Sequence, residues 1–111
     1  MEAFMKYLEE KTDACKAEIA ALQAEGRMDD AAFAKVRANI YDICRTVTDV
    51  HVNRTKAGKP AVQAQLDRFE AGWSEALAQA KIHGDAKAAA VEEIKLQTLR
   101  EINVRFAEAA Q

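Results

Sequence analysis

Four stretches of this chain place their apolar residues at alternating spacings of three and four, and glycines at 26, 58 and 84 mark the three joints between them. That spacing puts the apolar positions on one face of an α-helix. A chain built from four such stretches, of nearly equal length and with short joints, has few ways to bury its apolar faces. The economical one is to lay the helices side by side.

The first stretch runs over about 2–25, with a seam of Met1, Met5, Leu8, Thr12, Cys15, Ile19 and Leu22. Gly26 just beyond it reads as a helix stop. The second runs over about 30–56 with Phe33, Val36, Ile40, Ile43, Val47 and Val50, and Asp29 or Asp30 is placed to cap its start. Its β-branched residues are weak helix formers, so packing must hold it, which predicts a central position. The third runs over about 60–82, opening on Pro60, which a first turn tolerates because its missing N–H has no partner there. Its seam is Val62, Leu66, Phe69, Trp73, Ala76 or Leu77, and Ala80, with Trp73 as the largest core side chain and Gly72 beside it as a point where a neighbouring helix could approach. The fourth runs over about 85–108 from a capping Asp85, with Val91, Ile94, Leu99, Ile102 and Phe106.

Each span is about 22 to 27 residues, roughly 33 to 40 Å at 1.5 Å per residue. The expected fold is all-α, residues 1–111 forming a single helical domain, an antiparallel up-down four-helix bundle. The alternative is a pair of long helical hairpins that complete a bundle by dimerisation. Composition agrees: Pro occurs once and Gly four times in 111 residues, in an Ala-, Glu-, Lys- and Gln-rich chain.

The net charge of −2 with both signs interspersed argues against a general nucleic-acid or membrane-surface binder. No apolar run reaches transmembrane length, and the start, MEAFMKYLEEK, has no apolar signal region. The expectation is a cytoplasmic protein whose Cys15 and Cys44 are small buried hydrophobes.

The stretch HVNRTKAGKP at 51–60 comes nearest to a chemical motif. A phosphate-binding loop needs Gly, four residues, then Gly-Lys-Ser/Thr after a strand. Asn53 stands where the first Gly belongs, Pro60 where the Ser/Thr belongs, and the preceding segment is helical. Residues 26–59 do carry seven Lys/Arg against four Asp, and the first stretch carries six acids against three Lys. The plainer reading is attraction between the first two helices, with cations at the end of the second suiting its negative dipole end.

No Glu has a His three residues on, as bundle di-iron sites require. His51 and His83 sit near the carboxyl ends of consecutive antiparallel helices, about 25 Å apart at 1.5 Å per residue. Cys44 and His51 share a helix face but are two turns apart, about 10 Å, too far for a nucleophile and its base. No catalytic, cofactor-binding or metal-binding set is expected. Tyr41 falls about 100° from Ile40 on a helix, in a second stripe of Ala34, Tyr41, Thr48 and Thr55, while Leu96 and Val104 lie off the main seam of the fourth helix. Such stripes suit self-association or binding to another helical protein.

The sequence therefore points to a non-enzymatic interaction or assembly module, a homo-oligomer, with Tyr41, Arg45, His51, Arg54, Lys56, Lys59 and Leu96 as the candidate interaction residues. Two alternatives stay open. One is a nucleic-acid accessory protein using Arg45, Arg54, Lys56 and Lys59. The other is a small-ligand-binding bundle with a pocket near Tyr41, Cys44 and His51.

Overall fold

The computed structural model describes residues 1–111 as four α-helices with no strand. α1 spans Glu2–Ala24, α2 Met28–Thr48, α3 Lys59–Ile82 and α4 Ala86–Ala110. α1 and α2 form one antiparallel hairpin and α3 and α4 another. The hairpins join chiefly through α2 against α4, and α2 touches all three other helices. This is the central place its β-branched residues required. Phe4 meets Phe106 edge to face at 5.3 Å between ring centroids, which sets the start of α1 beside the end of α4. α2 and α4 therefore run in the same direction, and the chain is an up-down bundle.

Both hairpin turns end in the same way. At the end of α1 the Arg27 N–H donates to the Leu22 carbonyl (2.9 Å) and the Gly26 N–H to that of Gln23 (3.1 Å). At the end of α3 the Asp85 N–H donates to Ala80 (2.9 Å) and the Gly84 N–H to Lys81 (3.2 Å). This reciprocal pair satisfies the orphan carbonyls of a helix end, and it needs the left-handed residue that Gly84 supplies at φ +67°. Asp85 caps α4 as expected, accepting from the Ala88 N–H at 3.0 Å. The start of α2 differs. Its capping position is Arg27, without a side-chain cap bond, and Asp29 and Asp30 lie inside the first turn, where their charge faces the positive end of the dipole.

α2 also ends earlier than its seam suggested. The α-helix stops at Thr48 and continues as six π-helical residues, Asp49–Arg54. The wider winding shows in the Thr55 N–H bonding back five residues to Val50 (2.8 Å). Asp49 braces it, accepting from Asn53 Nδ2 at 2.9 Å and Arg54 Nε at 3.1 Å. Each π-turn takes up an extra residue, so the apolar spacing no longer tracks one face beyond Thr48.

Twelve buried side chains form the main core, drawn from the start of α1, the end of α2, the start of α3 and the end of α4. All four helices converge at this closed end. At the opposite end the only buried cluster is Leu22, Ala31 and Ala34, between α1 and α2. The radius of gyration, 15.0 Å, exceeds the value of about 13 Å for a compact domain of this length, as a bundle closed at one end should give.

Two expectations about faces are overturned. The second stripe of α2 is core: Ala34 and Thr48 are fully buried and Tyr41 is 3% exposed, while Phe33, Val36, Ile43, Val47 and Val50 are only half-buried. Of the expected seam only Ile40 is fully buried, and Thr55 at the far end of the second stripe is exposed. Gly72 is the second case. It is exposed, and a Cβ there would meet nothing within 4 Å, so no helix approaches it.

The two glycines should respond oppositely to alanine. Gly72→Ala should stabilise the protein by about 1 kcal/mol through helix propensity. Gly84→Ala should cost about 1 kcal/mol or more, because L residues are strained in the left-handed region. Urea denaturation of both variants checks the sign; destabilisation by Gly72→Ala would mean a hidden close contact.

Candidate functional site

The most connected polar group is Glu101 on α4. Its Oε1 accepts from the Tyr7 hydroxyl of α1 at 2.9 Å and from the Tyr41 hydroxyl of α2 at 3.2 Å, and pairs with Lys11 Nζ at 3.3 Å. The rings of Tyr7 and Tyr41 meet edge to face, 6.4 Å between centroids, and the Arg105 guanidinium lies over Tyr7 at 4.4 Å. Burial raises both phenols well above their ordinary range, and the hydrogen bonds and charge of Glu101 push the same way. Burial opposes ionisation of Glu101 most strongly, yet the bonds from Tyr7, Lys11 and Tyr41 together hold its carboxyl below the usual range. The cluster ties three helices together. Both hydroxyls are spent on the carboxylate, so neither is poised to act as an acid or base.

The thiols are inert for a related reason. Burial alone pushes Cys44 up to about 12, and burial raises Cys15 despite the nearby Arg37. Both are free cysteines inside the core. His51 lies in the π-helical segment, half-buried, with its Nδ1 lacking a hydrogen-bond partner. None of the grooves on the molecule is lined by Tyr41, Cys44 or His51. One groove, about 640 Å³, lies between the start of α1 and the π-helical segment, over Met1, Met5 and Val52, and another, about 220 Å³, runs past Asp42 and Arg45. No three His, Cys, Asp or Glu side chains gather as a metal site. No helix is long and apolar enough to cross a membrane.

The basic stretch is the helix end and turn that the sequence suggested. Arg45 pairs with Asp42 at 2.8 Å and Arg54 with Asp49 at 3.1 Å. Lys56 and Lys59 stand exposed in the turn and at the start of α3. Two of the four cations are thus offset by carboxylates on their own helix. Across the first hairpin, Arg37 pairs with Glu18 at 3.0 Å, an instance of the attraction expected between α1 and α2. The structure does not gather the candidate interaction residues into one surface. Tyr41 and Leu96 are core side chains, each 3% exposed, whereas Arg45, His51 and Arg54 follow the end of α2.

The sequence reading missed the open end. There a groove of about 530 Å³ lies between the first turns of α2 and α4, lined by Asp29, Ala32, Phe33, Ala86 and Lys87. Phe33 and Val36 on α2, Leu77 on α3, and Val91 and Ile94 on α4 are half-buried and pack on neither buried cluster. All five lie in the halves of their helices that point away from the closed end. Met28 (58% exposed) and Ile82 (73%) lie at the tips of the two hairpins, two of the three large hydrophobics most exposed on the molecule. The signal was present in the sequence as seam residues without an equal number of facing partners. The periodicity could not show which of them the chain itself covers.

The Glu101 cluster gives the protein a defined pH response. Glu101, held low when folded, contributes stability above its unfolded value of about 4.3 that is lost as pH falls through the folded value. Tyr7 and Tyr41, held high, contribute stability that is complete below about pH 10 and lost as pH rises through their folded values. These are the only two tyrosines in the protein. Absorbance at 295 nm should show no phenolate until the helices melt, in one step matching circular dichroism. Glu101→Gln should bring that step to lower pH and flatten the acid limb. Phenolates forming near pH 10 with the helices intact would refute the cluster.

No family model, curated protein or solved structure matches the chain.

Proposed function

We propose that this protein is a helical interaction module that acts through the open end of its bundle, where the groove between α2 and α4 receives an apolar helical surface. The observation that carries this reading is the uneven burial. Phe33, Val36, Leu77, Val91 and Ile94 occupy seam positions yet are only half-buried and pack on neither buried cluster, and Met28 and Ile82 stand exposed at the hairpin tips. Isolated exposed hydrophobics need no explanation. A group of seven at one end of a small protein, rimmed by charge, is the pattern of a docking site.

The physics of such a site is the same as that of the closed end. Side chains from a partner helix would fill the gap between the hairpins and remove apolar area from water at about 25 cal/mol per Å². The rim charges, among them Asp29 and Lys87, would then select orientation. The basic turn supports nucleic-acid binding less well, because Arg45 and Arg54 are already paired with Asp42 and Asp49.

A photoreactive benzoylphenylalanine placed at position 33 and activated in cells tests this directly. It should give an adduct of defined mass, whereas the same group at exposed Arg68 on α3 should give none. Equal labelling from the two positions would remove the open end as the binding surface. Phe33→Ser should abolish the adduct formed by a reporter at position 36 while leaving the helical circular dichroism spectrum unchanged.

A further inference from the structure

Resting on the reading of the open end as a docking site, we infer that its occupant is a second copy of this chain, related by a two-fold axis, with Asp29 of each copy facing Lys87 of the other. A two-fold interface brings the same patch together with itself, so the patch must carry its own complement. The open end does so. Its groove is lined on the α2 side by Asp29 and on the α4 side by Lys87, one charge of each sign. The neighbouring charges are already used within the chain. Arg27 pairs with Asp30 at 2.9 Å, and Lys81 with Glu93 at 3.9 Å. Asp29 and Lys87 have no such ion pair, which leaves them as the lining charges free for a partner.

The apolar surface is arranged in the same self-complementary way. Met28 stands on the tip of the first hairpin and Ile82 on the tip of the second, with Phe33 in the groove between them. Rotation about an axis through the groove sets the first hairpin of one copy against the second hairpin of the other. Met28 then covers Ile82 and the two Phe33 rings approach each other. Aromatic rings that meet this way gain edge or offset contacts beyond their area burial. A polyanion or an acidic membrane would ask for an excess of cations around the groove, and the free charges there are balanced.

Sedimentation velocity on the intact protein tests the inference. The wild type should sediment as a dimer of the 12.3 kDa chain at high concentration and dissociate on dilution. Asp29→Lys and Lys87→Glu should each weaken the dimer by about tenfold, since each replaces two symmetric attractions with repulsions. An equimolar mixture of the two variants should recover wild-type affinity as a heterodimer, because both cross-interface pairs are then opposite in sign. Contacts within one chain cannot produce recovery by mixing. A monomer at the highest soluble concentration, single reversals without effect, or a mixture no tighter than its components would each overturn the inference. The cross-link at position 33 separates the two failures. A monomer that still yields an adduct with a different protein retains the docking end and rejects the second copy; a monomer with no adduct rejects both.

Discussion

One carboxylate oxygen holds the rotational setting of the bundle. Helices with a broad apolar face can pack in several rotations at similar cost, because dispersion and burial have little direction. Glu101 removes that freedom for three of them. Its Oε1 takes the hydroxyls of Tyr7 and Tyr41 and the ammonium of Lys11, so α1 and α2 must present those groups to one point on α4. A different rotation of any of the three would draw the Tyr7 and Tyr41 hydroxyls away from this half-exposed acceptor at the edge of the core, a cost of about one hydrogen bond each. Phe4 on Phe106 and the main core then follow from that setting.

The closed end and the open end differ in what faces what. Where the four helices converge, Leu8, Ile40, Leu66, Leu99 and Ile102 are almost fully buried against one another. Toward the hairpin tips the buried side chains are small, Ala31 and Ala34 against Leu22, and they hold α1 to α2 without reaching the second hairpin. On α3, Phe69 and Trp73 stack at 5.1 Å against the margin of the main core, and Lys95 of α4 lies 5.7 Å from the Trp73 ring. The first hairpin thus has a small buried cluster at its tip, whereas Leu77, Val91 and Ile94 near the tip of the second pack on neither buried cluster. That asymmetry is the structural basis for reading the tip as a place of association.

Much of the fold could be read from residues. Gly26, Gly84, Pro60 and Asp85 marked helix ends by local chemistry, and each does so in the structure. The α3 and α4 seams hold at the closed end, in Val62, Leu66, Leu99, Ile102 and Phe106, whereas Trp73, expected as the largest core side chain, is only half-buried at the margin of that core. α2 was harder because size is a poor guide to burial on a helix that touches three others. Ala34, Cys44 and Thr48 are buried as completely as Ile40 although their side chains are small, and Thr48 meets its polarity by donating to the Cys44 carbonyl at 2.8 Å. The same geometry moved Tyr41 and Leu96 from candidate interaction residues into the core.

By itself the sequence determined the four helices, their joints and the antiparallel order, since these follow from spacing, caps and breakers acting within a few residues, though not the π-helical end of α2. Only the tertiary structure decided which faces meet. Tyr7, Tyr41 and Glu101 are 94 and 60 residues apart in their pairings, and no local rule links them. The open end is likewise a property of relative helix placement: Phe33 and Lys87 come to line one groove only because α2 and α4 run in the same direction side by side.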